Sequence, residues 1–156
     1  MSLLSSGIMM KHFDPSTFHI MSSNLDMAQL KRLLPEYTKA GIREMRLINA
    51  NFTEVDIELL TQNISHLTML DLSFSKLEKE QITNLLYAVK NSEYLQDLVL
   101  TGIDLSTVSL QVLKESVGNV KQVSMNKNCL DKLSEVELLR EGMFDIETYN
   151  IDLLKI

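Results

Sequence analysis

Residues 67–77 read LTMLDLSFSKL, and this stretch decides the fold. Leu70 and Leu72 alternate there with Asp71, which predicts a short strand with one buried face. The apolar spacing of this frame recurs in frames that start at residues 15, 42, 67, 95, 120 and 146. The starts lie 27, 25, 28, 25 and 26 residues apart, so six matches at a near-constant period indicate an internal repeat.

The recurring frame is strongest in the middle of the chain and weaker at both ends. The central frames hold Ile42, Met45, Leu47, Ala50 and Phe52, then Leu95, Leu98, Leu100, Ile103 and Leu105, then Val120, Val123, Met125, Asn128 and Leu130. The outer frames hold Pro15, Phe18, Ile20, Ser23 and Leu25 at one end, and Ile146, Tyr149, Ile151, Leu154 and Ile156 at the other.

Stretches with helical spacing separate the predicted strands, such as the apolar stripe of Ile82, Leu85, Leu86 and Val89. Each strand-plus-helix unit is too small to bury its apolar side alone, so neighbouring units must stack into one core. We therefore predict an α/β fold, with a curved parallel sheet on the concave face and helices on the convex face.

Local signals predict where the helices begin and end. Thr53 with Asp56 has the spacing of an N-terminal cap, and Gly41 stands where a helix should stop before the next strand. Pro35 is expected to kink or end the first helix early, because it lacks the backbone donor that a helix interior needs.

The motif resembles that of leucine-rich-repeat proteins, and the 25–28-residue periods are most similar to the ribonuclease-inhibitor-like class. The resemblance covers residues 15–156 and implies a single solenoid domain of about six units. Residues 1–14 would form an N-terminal extension, a candidate for disorder. In this family the ninth position of the motif, counted from Leu67 as the first, usually holds a polar residue whose side chain hydrogen-bonds to the backbone of a neighbouring turn. Ser75 and Asn128 fit this rule, whereas Ala50 and Ile103 depart from it.

The resemblance implies a recognition module that binds a protein partner on its concave face. Residues that flank the strand leucines should point to that face. Apolar groups exposed there would be typical of an interaction surface, and the charged groups could pair with opposite charges on a partner. The candidate partner-binding residues are Met21, Glu44, Arg46, Ile48, Met69, Asp71, Phe74, Asp97 and Val99. The alternative is that β-propensity alone favours these apolar residues and that the charges pair across strands.

Other classes of function are disfavoured by composition. The net charge of −6 and the lack of a Lys/Arg run argue against nucleic-acid binding. No apolar run approaches the ~18 residues of a membrane span. The single cysteine, Cys129, cannot form an intramolecular disulfide, which fits a reducing cytoplasm, or a host cytoplasm if the chain is a delivered effector.

The sequence also lacks the motifs of an enzyme. There is no glycine-rich phosphate loop and no zinc spacing, so we predict no catalytic residues, metal or cofactor. His19, Arg46 and Asp71 fall in one column across adjacent strands, but a shallow face offers no water-excluding cavity for acid–base chemistry.

The leading hypothesis is thus a non-catalytic protein–protein interaction module. A second hypothesis is structural: the last predicted strand reaches Ile156 without a polar capping helix, and solenoids normally shield their ends. The chain would then be a fragment or end of a larger repeat protein, such as an effector, adaptor or receptor. It would associate through its uncapped C-terminal edge.

Overall fold

The computed structural model describes residues 17–21, 27–125, 144–145 and 150–151. Strands and helices alternate along the chain, which confirms the predicted α/β class. The elements are β1 (Thr17–Met21), α1 (Met27–Lys39), β2 (Glu44–Ile48), α2 (Glu58–Thr61), β3 (Met69–Asp71), α3 (Lys79–Lys90), β4 (Asp97–Val99), α4 (Leu110–Ser116), β5 (Gln122–Ser124), β6 (Phe144–Asp145) and β7 (Asn150–Ile151).

The first five strands form one parallel sheet in chain order, β1-β2-β3-β4-β5. Glu44 pairs with Met69, Met69 with Asp97, and Asp97 with Gln122. These partners are separated by the same 25–28 residues as the sequence frames. The predicted strand positions and their mutual alignment are therefore confirmed for β1 to β5.

The helices pack against one face of this sheet. In β2, Met45 and Leu47 are buried while Glu44, Arg46 and Ile48 are only half-buried, as expected for a strand with one covered face. One apolar cluster joins the buried strand residues to buried residues of the helices. Removing such side chains from water is the main force that holds the two layers together.

Each turn after β2, β3 and β4 contains a residue with left-handed backbone. These residues are Asn49, Phe74 and Gly102, with φ of 55°, 58° and 75°. They occupy equivalent frame positions, each seven residues after the start of its frame. We call this set the left-handed row; it turns the chain away from the strand at the same point in each unit.

Ser75 ties two of these turns together from a buried position. Its Oγ donates to the Leu47 carbonyl at 2.8 Å and accepts from the Ala50 N–H at 3.1 Å. The turn at Ala50 therefore gains a side-chain bond from the next unit, although Ala50 has no polar side chain to offer. This bond links the turn after β2 to the turn after β3.

Two predicted helix boundaries are absent: Pro35 does not end α1, and α2 does not begin near Thr53. Helix α1 continues through Pro35 to Lys39, because Leu30 and Leu34 remain anchored in the core while the exposed proline lies on the outer side. Helix α2 begins at Glu58, not near Thr53, whose hydroxyl instead donates to the Asn51 side chain at 2.8 Å.

The predicted stop at Gly41 is confirmed. Gly41 has a φ of 76° and its N–H donates to the Thr38 carbonyl, while the Ile42 N–H donates to the Tyr37 carbonyl. These two bonds form the Schellman arrangement in which glycine is favoured after a helix.

The C-terminal part differs from the expectation. Ile151, predicted to lie in a sixth strand of the parallel sheet, lies in β7, which pairs antiparallel with β6 and contacts β5. Only four residues separate β6 from β7, and so short a connection favours antiparallel pairing, since a parallel crossover needs a dozen or more residues. The predictions about residues 1–14, Asn128, Cys129 and Ile156 lie outside the described residues, and association through the C-terminal edge stays a prediction.

None of the helices within the described ranges is both long and apolar enough to cross a membrane.

Candidate functional site

The sheet face opposite the helices carries the residues that the sequence placed on the concave side. Two rows cross β2 to β5 there, with every residue in register with its neighbour. One row is Glu44, Met69, Asp97 and Gln122, and the other is Arg46, Asp71, Val99 and Ser124. We call these eight residues, together with Ile48 at the end of β2, the open strand face.

A shallow recess of about 230 Å³ lies in the middle of the open strand face. It is lined by Glu44, Arg46, Met69, Asp97, Leu98, Val99, Gln122 and Ser124. Its walls therefore combine charged, amide, hydroxyl and apolar groups from four neighbouring strands. A recess of this composition suits one or two side chains of a partner better than a large organic ligand.

The charges of the open strand face are unevenly compensated. Arg46 Nη2 lies 3.7 Å from Glu44 Oε2, and both side chains are well exposed to water, so the pair is weak. Asp97 lies two strands away from this pair, and no cation among the described residues lies within ion-pair distance of its carboxylate. The face as described thus has an acidic group that a cationic partner can neutralise.

Two of the candidate residues are buried, contrary to the expectation that they present groups to water. Met69 is 9% exposed and Asp71 is 7% exposed. Both lie on β3, the central strand of the sheet, and all three residues of this strand are buried. The Asp71 Oδ1 also accepts bonds from the N–H and the hydroxyl of Ser73, so this carboxylate stabilises the end of its own strand.

The column of His19, Arg46 and Asp71 is in register at the backbone, as predicted. However, the Arg46 guanidinium pairs with Glu44 and the Asp71 carboxylate is held by Ser73, and no ion pair between Arg46 and Asp71 occurs. The side chain of His19 lies outside the described part of the molecule. Of the two described side chains in this column, Arg46 and Asp71, each therefore has a partner outside the column.

Met21 and Phe74 lie at the edges of the candidate set. Met21 pairs with Ile48 at the backbone, and its side chain is outside the described part. Phe74 follows β3, is 60% exposed, and donates its N–H to the Thr101 carbonyl at 2.7 Å. Its ring lies against Gly102. Phe74 is thus an exposed aromatic group fixed at the carboxyl end of the strands.

Sequence reasoning missed a second recess, on the helical side. It has a volume of about 420 Å³ and lies between α2 and α3, lined by Glu58, Thr61, Gln62, Ser65, Asn84, Tyr87, Ala88 and Asn91. The Tyr87 side chain is 72% exposed. A signal was present in the sequence, because Tyr87 is a large aromatic residue out of phase with the buried stripe of α3.

Comparison with known proteins adds no relative: no protein-family model, no curated protein and no solved structure matches the chain. Within the described ranges, no group of three His, Cys, Asp or Glu residues has the geometry to hold a metal ion.

Proposed function

We propose that this chain is a leucine-rich-repeat solenoid that binds another protein through its open strand face and catalyses no reaction. The observation that carries the proposal is the register of β2 to β5, which aligns eight side chains of mixed chemistry in two rows on the uncovered side of the sheet.

The repeat architecture is supported by three features that agree. The sequence period, the chain-order parallel sheet and the left-handed row all recur at 25–28 residues. Ser75 bridges adjacent units from the ninth motif position, where members of this family commonly place a polar side chain. A stack of such units gives an extended face that no single unit could provide.

A binding role is supported by the chemistry of that face. Half-buried Ile48 and Val99 stand beside Glu44, Arg46 and Asp97, so apolar contact area lies within a charged surround. Such surfaces exclude water at the centre and gain specificity from charges at the rim. A cytoplasmic setting belongs to the same proposal, because Cys129 is the only cysteine.

The test compares valine-to-aspartate substitutions at two places, one on the open strand face and one on a helix as a control. Val99→Asp changes the half-buried centre of the open strand face, whereas Val112→Asp places the same charge on α4, where Val112 is exposed. Partners that are crosslinked to the chain in its native cell are quantified by mass spectrometry for each variant. We expect Val99→Asp and Ile48→Asp to lower the yield of a specific partner at least about tenfold, with Val112→Asp unchanged.

Circular dichroism establishes that each variant is folded before its yield is compared. A partner that is recovered equally with Val99→Asp, Ile48→Asp and the unaltered chain would show that the open strand face is not the binding site.

A further inference from the structure

Phe74 has a backbone conformation that disfavours its own side chain. Its φ of 58° lies in the left-handed region, where bulky residues are rare. The equivalent positions in the neighbouring turns hold Asn49 and Gly102, the two residue types that adopt this conformation most readily. The turn itself therefore does not require an aromatic residue at position 74.

Burial in the core does not account for Phe74 either. The side chain is 60% exposed, so most of its apolar surface stays in water. The inner part of the ring rests on Gly102: a β-carbon on that glycine would overlap ring atom Cδ1 and lie 2.9 Å from Cε1. Phe74 thus keeps an exposed ring in a backbone conformation that disfavours it, and strain of this kind is concentrated at functional sites.

The surroundings of Phe74 indicate the chemistry of what would contact it. Phe74 comes three residues after Asp71, and three residues span at most roughly 10 Å, so a short segment can reach both the ring and the open strand face. That face presents the carboxylates of Glu44 and Asp97 against one guanidinium, Arg46, and the whole chain carries a charge of −6. Charge complementarity therefore favours a basic partner and disfavours a second copy of this acidic chain.

We propose that Phe74 is a recognition anchor, which inserts into an apolar pocket of a basic protein segment while a Lys or Arg of that segment pairs with Asp97. This inference rests on the proposed binding function and names the class of its partner. An aromatic side chain has few rotatable bonds and so loses little conformational entropy on binding, and aromatic residues contribute most of the energy in many interfaces.

The first experiment asks whether Phe74 serves the fold. Phe74→Asn introduces the residue found at the equivalent position 49, which tolerates the left-handed backbone. We expect the melting temperature to stay within about 4 °C of the unaltered chain or to rise. A larger fall would mean that the ring stabilises the turn, and the proposal would be overturned.

The second experiment uses short random peptides displayed on phage and selected on the unaltered chain. We expect enrichment of peptides that combine Lys or Arg with a cluster of apolar residues, because such peptides offer both required groups. Asp97→Asn and Phe74→Asn should each weaken these peptides at least about tenfold. Tyr87→Asn, which removes an exposed aromatic residue from α3, is the matched control and should leave binding unchanged.

The outcomes separate this inference from the proposed function. Peptides that depend on Asp97 and Val99 but bind Phe74→Asn normally would refute the anchor and leave the open strand face as the binding site. A selection that returns no peptide dependent on Asp97 or Val99 would contradict both.

Discussion

The ring of Phe74 lies in the space that a β-carbon on Gly102 would occupy, 28 residues further along the chain. The two residues hold equivalent positions in successive turns, and both have left-handed backbone. The Phe74 ring thus occupies space that is open only because residue 102 is a glycine. The two turns share one backbone pattern, but their side chains are complementary in size.

Gly102→Ala is expected to destabilise the fold more than Gly41→Ala. Both glycines have a φ near 75°, so both substitutions carry the backbone cost of about 1–2 kcal/mol. A β-carbon at Gly41 meets no atom within 4 Å, whereas at Gly102 it collides with the Phe74 ring. Overpacking should raise the loss at Gly102 to about 2–4 kcal/mol, measured by denaturant unfolding. Combining Gly102→Ala with Phe74→Asn should recover part of the difference; equal losses for the two alanine variants would contradict the fit.

Ser75→Ala is expected to lower the free energy of unfolding by about 1–3 kcal/mol, because it leaves the Leu47 carbonyl and the Ala50 N–H without the Ser75 hydroxyl in a buried turn. The matched control is Ser65→Ala, since Ser65 is exposed and a substitution there should change stability by less than about 0.5 kcal/mol. Urea titrations of both variants provide the measurement. If the two losses are the same, the bridge contributes nothing to stability.

Met69→Asp is expected to unfold or severely destabilise the chain, by more than about 3 kcal/mol, because it buries an unpaired charge in the central strand. Ile48→Asp lies at the half-buried end of β2 and should cost only about 1 kcal/mol. Thermal melts of the two variants distinguish these cases. A well-folded Met69→Asp would mean that β3 is open to water, and Met69 would then become a valid probe of binding.

Stability should fall as pH decreases below the ordinary His66 pKa of 6.5. Burial first, and the nearby Arg43 charge second, lower the pKa of His66 in the folded chain. The unfolded chain then binds more protons, so this contribution is complete above pH 6.5 and is lost as pH falls toward the lowered value. His66→Gln should flatten the dependence of unfolding free energy on pH between about 5.5 and 7. An unchanged slope in that variant would assign the dependence to other groups.

Asp104 should not interfere with that measurement. Hydrogen bonds from the Ser106 side chain and backbone lower the pKa of Asp104 below its usual 3.8. Its contribution to stability is present above 3.8 and is lost only as pH falls further, well outside the range used for His66.

The sheet could be predicted from sequence because alternation and period carry its geometry directly. Leu70 must face the core if Leu72 does, because alternate residues of a strand lie on the same face. The repeat period then predicts which residue of the next strand lies beside each of them. The register of Glu44, Met69 and Asp97 follows from that rule, and the structure has this register. The antiparallel pairing of Ile151 was not predictable in this way, since its frame was weak and a nearby strand competed for it.

The properties of the candidate site were harder to predict, because exposure depends on neighbours across the sheet as well as on the direction of a side chain. Met69 points to the uncovered face and is nevertheless buried by the side chains around it. The backbone of Phe74 was predictable in principle, since Asn49 and Gly102 at equivalent positions indicate a left-handed turn. The recess beside Tyr87 depends on the packing of α2 against α3, which periodicity does not determine.

Each inner strand of the five-stranded sheet hydrogen-bonds only to the strands immediately before and after it in the chain. The chain segments that must close to form successive strand pairs are therefore of nearly equal length. The entropy lost in each closure is therefore nearly equal as well. Folding can nucleate at any adjacent pair and propagate outward, without waiting for a distant segment. Amide hydrogens of β3 should consequently exchange most slowly, with protection declining through β2 and β4 toward the two outer strands.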